Sequence, residues 1–347
     1  MTELSTVRWG LLSTAWINDA IIPAIAMSPR SELIAVASRT QEKVDKYAQK
    51  HGIPRAYGSY VELLADSDID AVYISLPNSL HAEWIVKAAQ AGKHVLCEKP
   101  LVISLDEFDA IEAAAREFKV VVFEAFANLH HPSIRHALEL VRSGALGDIQ
   151  FINAWGYIRL PADDVDNIRL KPELGGGSLW DVGVYPVSLA ITFAGVGAPV
   201  EVWGSQITGD TGVDIAFAGQ MRFANGVTAQ ISSGICSAPH KRLVIVGSDG
   251  LLEIAYPTIP VNVADQDIKI EHLTSSGIVT TEDRTIVIPA ANQYQMEVDA
   301  LAACILDGAQ PVVPLSDSRE FLITNLALYE SAKIGRPVPT DTTLPRS

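Results

Sequence analysis

The first 124 residues alternate between short apolar runs and longer polar or amphipathic segments. Helices are predicted in the longer segments, and two of them open on a capping box, Ser59 to Glu62 and Ser104 to Glu107. Short apolar runs are typical of buried strands, and here they span residues 7–12, 33–37, 71–76, 94–97 and 120–123. Strands that alternate with helices predict βαβ units and a parallel sheet of the Rossmann type.

The pattern changes after residue 124. A helix over 132–143 and a strand over 149–157 precede a long loop, 159–177, which is rich in Pro, Asp and Gly, and a second helix that Ser178 is expected to cap. Tight turns then separate strand-like runs at 200–207, 216–223, 227–235, 242–246, 250–254 and 278–288. Helices over 292–306 and 316–334 are predicted to close the chain.

The chain is therefore predicted to be an α/β protein of two domains. Residues 1–124 would form a dinucleotide-binding Rossmann domain, and residues 125–347 an α+β domain with a large, mostly antiparallel open sheet. The second domain is expected to bind substrate. Because an open sheet of this size leaves a face to cover, it is also expected to form a homodimer or homotetramer.

The composition excludes some classes of binding partner and indicates the redox environment of the protein. The 347 residues carry a formal net charge of −15, which argues against nucleic acid or an anionic membrane surface but leaves a small anionic ligand open. Three scattered cysteines without a CxxC motif indicate a reduced, cytoplasmic setting. The N-terminus lacks the features of a signal peptide, and no apolar run approaches the ~18 residues of a membrane span.

The segment after the first strand is a candidate cofactor turn. It contains Gly10, Ser13, Thr14 and Ala15, with Trp16 next, so a serine stands where the G-x-G-x-x-G fingerprint has a glycine. On this motif alone, a plain strand-to-helix turn is equally acceptable. A position before a helix N-terminus favours phosphate binding.

The residues at the end of the second strand indicate whether the chain binds NADP or NAD. An NAD site usually has a carboxylate there for the ribose hydroxyls, whereas this chain has Ser38 and Arg39. A guanidinium can pair with a 2′-phosphate. NADP is therefore the predicted cofactor, with NAD as the less favoured choice and a surface arginine as the structural alternative.

Two further segments carry candidate catalytic groups. Glu98, Lys99 and Pro100 follow a buried strand, and ligands bind at the carboxyl ends of parallel strands. Asp181 and Tyr185 are four residues apart, which would place them on one helix face beside a possible polar substrate. On spacing alone, a capped helix with a packed tyrosine is the better interpretation.

A metal site is not predicted. His130, His131 and His136 are close in sequence, but no set of three or four ligands has a known zinc spacing. A solvent-facing or hydrogen-bonded histidine cluster explains them better.

Together these motifs resemble the Gfo/Idh/MocA oxidoreductase family, over nearly the whole chain. The most specific motif is Glu98-Lys99-Pro100, supported by the Leu76-Pro77-Asn78 segment with His81 and by the three glycines 175–177 before Asp181 and Tyr185. Tyrosine at 185, serine at 13 and arginine at 39 resemble the subgroup of dihydrodiol dehydrogenases, glucose–fructose oxidoreductase and NADP-dependent D-xylose dehydrogenases.

The resemblance implies roles for these residues. Lys99 and Tyr185 would flank the carbon that exchanges hydride, with Asp181 beside them. A free tyrosine has a pKa near 10, and a nearby ammonium stabilises the phenolate, so the pair can act as acid and base. Leu76, Pro77, Asn78, His81 and Glu98 would bind or support the nicotinamide half.

The implied activity is NADP-dependent hydride transfer to or from a secondary alcohol, hemiacetal or carbonyl of a sugar or cyclic diol. An NAD-dependent glycoside hydrolase of the same family and a non-catalytic NADP sensor are the alternatives. Ala127, Asn128 and Leu129 depart from relatives, which often carry an aromatic residue and an arginine there. Because of this departure, the resemblance does not identify the substrate. The role of the loop 159–177 is also not assigned.

Overall fold

A computed structural model describes residues 5–161, 163–255, 265–272 and 284–341. By its internal contacts the chain divides into an N-terminal unit, Met1–His130 with Asn292–Ser318, and a C-terminal unit, His131–Ala291 with Arg319–Ser347. The N-terminal unit thus includes a segment near the end of the sequence. The boundary proposed after residue 124 stays a prediction.

The N-terminal unit contains a parallel sheet with strand order β3-β2-β1-β4-β5-β6. This is the order of a doubly wound dinucleotide-binding fold, in which the strand order reverses between β1 and β4. The predicted Rossmann-type sheet is confirmed. Its strands are β1 (Val7–Leu12), β2 (Ser31–Ala37), β3 (Arg55–Tyr57), β4 (Ala71–Ile74), β5 (His94–Glu98) and β6 (Val122–Ala125).

The helices of this unit follow the amphipathic segments. Both capping boxes are present in part, because the Ser59 and Ser104 hydroxyls accept the backbone N–H of Glu62 and Glu107, each at 3.2 Å. The helices are α1 (Asn18–Met27), α2 (Gln41–His51), α3 (Tyr60–Ala65), α4 (His81–Gln90), α5 (Leu105–Phe118), α6 (Ala127–His130) and, from the end of the chain, α9 (Gln293–Asp307).

Helix α9 is part of the core of the N-terminal unit. Its buried face carries Tyr294, Glu297, Val298 and Leu301, a helical i, i+3, i+4, i+7 stripe. The apolar members of this stripe share one core cluster with Trp9 and other side chains of the parallel sheet. The position of Glu297 in an otherwise apolar stripe is unusual, because a buried carboxyl group is costly without partners.

The described part of the C-terminal unit contains a sheet with strand order β14-β13-β12-β11-β7-β10-β9-β8-β15. Every pairing is antiparallel except that of β7 with β10, so the predicted mostly antiparallel sheet is confirmed. The strands are β7 (Ile149–Arg159), β8 (Glu201–Thr208), β9 (Asp214–Arg222), β10 (Thr228–Gly234), β11 (Cys236–Gly247), β12 (Gly250–Ala255), β13 (Gln266–His272), β14 (Arg284–Ile288) and β15 (Val338–Pro339).

The sequence patterns missed two of these strands, β13 and β15. Of the strand predicted over 278–288, residues 278–283 lie outside the described residues. The helices of the unit are α7 (Pro132–Arg142) and α8 (Val184–Ala194), and α10 (Leu315–Ile334) runs across the division between the units. The predicted loop at 159–177 contains two short 3-10 turns, Ile168–Leu170 and Pro172–Leu174.

The two faces of the C-terminal sheet differ. Helix α8 packs against β7 and β10, where Ile152 and Ala154 are buried. Phe151 and Trp203 belong to the alternate positions, which the register places on the opposite face, and both are exposed there. Alternation along each strand thus produces one covered face and one partly apolar exposed face.

Candidate active site

The turn after β1 has the geometry of a cofactor turn, although its glycine is not where the fingerprint places it. Gly10 lies inside β1 in register with Ala35 and Val72, and an added Cβ would stand 2.9 Å from a Leu63 methyl group. Its role is close packing in the sheet. The residue that takes the glycine-like conformation is Ser13, with φ +126°.

A buried hydrogen-bond network holds Ser13 in this conformation. Its hydroxyl bonds to the Ser75 carbonyl at 3.0 Å and accepts the Ala15 N–H at 3.1 Å. The Asn18 amide donates to the Ser13 carbonyl at 2.9 Å and accepts the Ser75 hydroxyl at 2.8 Å. The network joins the ends of β1 and β4, the two strands between which the sheet order reverses.

The residues around this turn are available to a ligand. Thr14 and Ala15 are partly exposed, and Trp16 is 66% exposed, which is high for so large an apolar side chain. At the end of β2, Ser38 is buried and its N–H donates to the Tyr57 carbonyl at 3.1 Å. Arg39 follows and is exposed, so its guanidinium can reach a ligand at this sheet edge.

The segment after β4 is fixed by His81. This side chain is fully buried, with Nδ1 2.9 Å from the Pro100 carbonyl oxygen and Nε2 2.8 Å from that of Leu76. Burial lowers its pKa, and the carbonyl oxygens oppose that shift. His81 thereby ties the Leu76-Pro77-Asn78 segment to the segment after β5, where Lys99 lies.

Glu98 and Lys99 lie at the carboxyl end of β5, as the sequence predicts. The Tyr73 hydroxyl donates to Glu98 Oε1 at 2.5 Å. Burial, the largest effect, and the neighbouring Glu98 raise the pKa of Tyr73 well above its ordinary value, so this phenol stays protonated and remains a donor. Lys99 is partly buried, and the peptide bond to Pro100 is cis.

A second carboxyl group, Glu124, lies beside Lys99 and was not among the predicted site residues. It is 4% exposed, and its Oε1 accepts the Leu101 N–H at 2.8 Å. Burial raises its pKa to about 7, although the Ser318 hydroxyl, the Leu101 N–H and the Lys99 ammonium favour the charged form. Glu124 therefore changes charge near neutral pH within the electrostatic reach of Lys99.

In the C-terminal unit, Asp181 is paired with a cation from the long loop. The Arg169 Nε donates to Asp181 Oδ2 at 2.6 Å, and both side chains are largely buried. Arg169 belongs to the loop 159–177, to which the sequence assigns no role. The pair fixes the loop to the segment that carries the candidate catalytic residues and places a guanidinium there.

Asp181 and Tyr185 do not lie in one regular α-helix, which corrects the prediction. Asp181 belongs to a π-helical segment, Leu179–Gly183, and Tyr185 to α8. Single π-helical turns inside helices are rare and are frequent at functional sites. The four-residue spacing therefore does not place the two side chains on one face by α-helical geometry.

Ser178 does not cap this helix either. Its hydroxyl donates to Asp214 Oδ2 at 2.7 Å, and that oxygen also accepts the Leu179 N–H at 2.8 Å. Asp214 Oδ1 accepts the Tyr329 hydroxyl at 2.7 Å. A buried carboxylate from β9 thus takes the place of the serine as the anchor of the π-helical segment.

The glycines before this segment permit the close approach. A Cβ on Gly177 would stand 2.2 Å from Asp214 Oδ1, and one on Gly176 would stand 2.5 Å from the Arg169 carbonyl oxygen. Neither distance allows a side chain. The glycine run therefore reflects contact with Asp214 and the loop, in addition to backbone freedom.

Tyr185 borders a small cleft in the C-terminal unit. The cleft has a volume of about 240 Å³, including solvent at its mouth, and is lined by Ala154, Trp155, Gly156, Val182, Tyr185, Pro186, Leu189 and Lys241. Lys99 belongs to the other unit, and its pairing with Tyr185 stays a prediction.

Comparison with known proteins identifies the family. Residues 7–126 match the model of an oxidoreductase family with an NAD-binding Rossmann fold, and residues 134–253 match a GFO/IDH/MocA C-terminal domain. A D-xylose 1-dehydrogenase (NADP(+)) of Haloferax volcanii is 39% identical over 340 residues, which cover 96% of this chain and 100% of the relative. The chain belongs to the Gfo/Idh/MocA oxidoreductase family.

Other members show the same likeness. A trans-1,2-dihydrobenzene-1,2-diol dehydrogenase of Xenopus laevis is 32% identical over 90% of this chain and 93% of its own length. The crystal structure of a 3-ketoreductase from Actinomadura kijaniata, in complex with NADP and TDP-benzene, matches with a TM-score of 0.86 and 30% identity over 94% of this chain and 98% of that one. The predicted family, subgroup, fold and oxidoreductase class are confirmed.

Within the described part of the chain, no helix is long and apolar enough to cross a membrane. The same residues contain no group of three or more His, Cys, Asp or Glu side chains that could hold a metal. His131 has a local role, because its Nδ1 accepts the Ser133 N–H at 3.1 Å at the start of α7.

The polar groups at the sheet edge fit an NADP molecule in this family member. Ser13 holds the turn open before α1, and Arg39 stands exposed where a 2′-phosphate needs a cation. The predicted residues that the structure brings together are those at the carboxyl ends of β1, β4 and β5. No sequence pattern marks Tyr73, Glu124, Asp214 and Glu297, because each is an isolated polar residue outside any local motif.

Proposed function

We propose that this chain is an NADP(H)-dependent oxidoreductase that transfers hydride to or from a secondary alcohol, hemiacetal or carbonyl of a sugar or cyclic diol. The observation that carries the proposal is the arrangement at the carboxyl edge of the parallel sheet. There the Ser13 turn, the exposed Arg39 and the partly buried Lys99 follow β1, β2 and β5 in one doubly wound sheet.

Two groups of residues at this edge would hold the two halves of a dinucleotide. The β1 turn and Arg39 would hold the pyrophosphate and the 2′-phosphate, and the segments after β4 and β5 would hold the nicotinamide half. His81 joins those two segments through the carbonyl oxygens of Leu76 and Pro100, so their relative position is fixed before the cofactor arrives. The bound cofactor supplies or accepts the hydride.

The chain's own residues supply the proton chemistry. Tyr185 would act as acid in reduction and as base in oxidation, and Lys99 would stabilise the phenolate and orient the reacting oxygen. Asp181 would act through its ion pair with Arg169, which holds the Asp181 carboxylate in position beside the long loop.

The relatives define the substrates to test first. D-xylose and other aldoses follow from the Haloferax volcanii relative, trans-dihydrodiols from that of Xenopus laevis, and a nucleotide-linked keto sugar from the Actinomadura kijaniata structure. Anhydrosugars, inositols and cyclic diols complete the panel. Each compound is incubated with NADP or NAD, and turnover is followed by the absorbance of reduced nicotinamide at 340 nm.

The outcome separates the candidate functions. Stoichiometric NADPH formation or consumption with a sugar or diol, lost in Lys99→Met and Tyr185→Phe, supports the proposal. Release of sugar from a glycoside without net change in NADPH would indicate the hydrolase instead. Tight NADP binding with no turnover of any compound would indicate a sensor.

We further propose that the exposed face of the C-terminal sheet forms a homo-oligomer interface. Phe151, Trp203 and Ile207 are 51%, 40% and 62% exposed, and strand alternation places them on the face opposite to α8. Apolar side chains on an open sheet face are typical of subunit contacts.

A further inference from the structure

Glu297 is a buried carboxyl group that has no hydrogen-bond partner among the residues that the structure describes. It is 0% exposed, and neither of its carboxyl oxygens makes a hydrogen bond in the structure. Fully buried polar groups in native proteins are almost always hydrogen-bonded, so an orphan of this kind calls for an explanation. Its helix, α9, also buries Gln293, Tyr294, Val298 and Leu301.

The neighbours of Glu297 include Glu98, one of the residues proposed to support the nicotinamide half. Glu297 lies close enough to Tyr73 and Glu98 for electrostatic coupling, and Tyr73 donates its hydroxyl to Glu98. Burial first, and then the charge of Glu98, raise the pKa of Glu297 well above its ordinary value. The protonated form of Glu297 is therefore favoured in the folded protein.

The other titratable side chains around α9 do not neutralise Glu297. Arg8 on β1 is bound to Asp68 and Asp70, and Asp19 on α1 and Glu32 on β2 are exposed. His130 on α6 is buried and rests against the Phe123 ring. Helix α9 itself carries two further acids, Asp299 and Asp307, of which Asp307 is paired with Arg30. The titratable neighbours of Glu98 are Cys97, Lys99 and Glu124.

We propose that Glu297 is a proton-binding site linked to the charge of the cofactor: its carboxyl group releases a proton to solvent when oxidised NADP binds beside Glu98 and regains one when the cofactor is reduced. This inference rests on the proposed function. The nicotinamide ring carries a positive charge only when it is oxidised, and a nearby positive charge favours ionisation of an acid. A unit charge about 10 Å away, at an effective dielectric constant of about 20, shifts a pKa by about one unit.

The linkage has a measurable consequence for cofactor affinity. Where proton release accompanies binding, the Kd for NADP⁺ falls as pH rises through the pKa of the linked group, by about tenfold in total for a shift of about one pKa unit, whereas the Kd for NADPH stays level. The ratio of the two affinities therefore depends on pH. Without an ionising group near the ring, this ratio is constant.

The test compares the full chain with three variants. Glu297→Gln removes the ionisation and keeps the shape, Glu124→Gln removes the neighbouring titratable acid, and Asp299→Asn is the matched control on the same helix. Kd values for NADP⁺ and NADPH are measured by calorimetry from pH 6 to 9 in buffers of different ionisation enthalpy, which also gives the number of protons released.

In the wild type, Asp299→Asn and Glu124→Gln, we expect a proton to be released when NADP⁺ binds but not when NADPH binds. In Glu297→Gln we expect no proton release with either cofactor. Release that persists in Glu297→Gln, or that disappears in Glu124→Gln, overturns the inference. If the wild type binds neither cofactor, the proposed function fails instead.

A measurement on the wild type alone guards against a variant that does not fold. Infrared difference spectra should show the carbonyl stretch of a protonated carboxylic acid disappearing when NADP⁺ binds, and no such change with NADPH. An unchanged carboxyl region on NADP⁺ binding overturns the inference. Because the carboxyl group of Glu297 has no hydrogen bond to lose, Glu297→Gln should also unfold at the same temperature as the wild type or a higher one.

Discussion

Replacing Glu124 by glutamine should remove a pH-dependent loss of stability from the N-terminal unit. The pKa of Glu124 is raised from 4.5 to about 7 in the folded protein, chiefly by burial. A carboxyl group with a raised pKa contributes stability that is fully present below its unfolded pKa and is lost as pH rises through the folded value. The shift corresponds to about 3 kcal/mol of unfolding free energy lost between about pH 4.5 and about pH 8.

Glutamine keeps the shape and the contact that the carboxyl group makes. Its amide oxygen can accept the Leu101 N–H as Glu124 Oε1 does at 2.8 Å, so the folded state is conserved. At pH 4.5 the variant and the wild type should have similar stabilities. At pH 8 the variant should be more stable than the wild type by about 3 kcal/mol, because it has no charge to bury.

The assay is equilibrium urea unfolding across this pH range. Hydrogen exchange of amides in β5 and β6 separates unfolding of the N-terminal unit from that of the rest of the chain. The exposed Glu117 on α5 provides the control, since Glu117→Gln should follow the wild type at every pH. Adding Lys99→Met to the wild type should move the pH midpoint upward, because the Lys99 ammonium favours the charged carboxylate. Parallel pH profiles for Glu124→Gln and the wild type would refute the reasoning.

Four further changes test the rest of the site. Lys99→Met should abolish turnover and leave NADPH binding largely intact, and a near-normal kcat would contradict its role. Arg39→Ala should weaken the binding of NADPH by about tenfold to a hundredfold and that of NADH little, because one charge-assisted contact to the 2′-phosphate is lost. Equal losses of affinity for the two cofactors would exclude Arg39 as the phosphate contact. Asp214→Ala should lower the free energy of unfolding by about 3 kcal/mol, measured in urea, because three buried donors lose their acceptor, and Asp214→Asn should cost less. Trp203→Glu should reduce the mass measured by light scattering if the exposed sheet face is the subunit contact, and an unchanged mass would place that contact elsewhere.

The parallel half of the fold could be predicted because its signals are local. Five of the six strands of the N-terminal sheet are short apolar runs, and Ser59 and Ser104 mark two helix starts by a pattern only four residues long. The sequence patterns missed β3, whose residues Arg55–Tyr57 do not form such a run. The C-terminal sheet was harder. Strand β13, Gln266–His272, has two apolar residues, Ile268 and Ile270, among polar and charged ones, so its pattern does not stand out from the surrounding polar sequence.

The π-helical segment shows where local spacing fails. A four-residue separation predicts a shared helix face only if the helix is regular, and the segment that carries Asp181 is not. The start of the segment is held by a partner far away in sequence, because Asp214 accepts both the Ser178 hydroxyl and the Leu179 N–H. No pattern within the segment announces that contact.

The buried acids were missed for a related physical reason. A glutamate in a sequence is most often a solvated surface residue, and Glu124 and Glu297 follow no motif that marks them otherwise. Their burial depends on strands and a helix that come together only in the folded N-terminal unit. Burial raises the pKa of both carboxyl groups, at the edge of the sheet where a cofactor that changes charge is expected to bind. If the charge of Glu297 follows that of the cofactor as proposed, the pH dependence of NADP⁺ binding is lost in Glu297→Gln and kept in Glu124→Gln, so the two variants separate the coupled acid from its titratable neighbour.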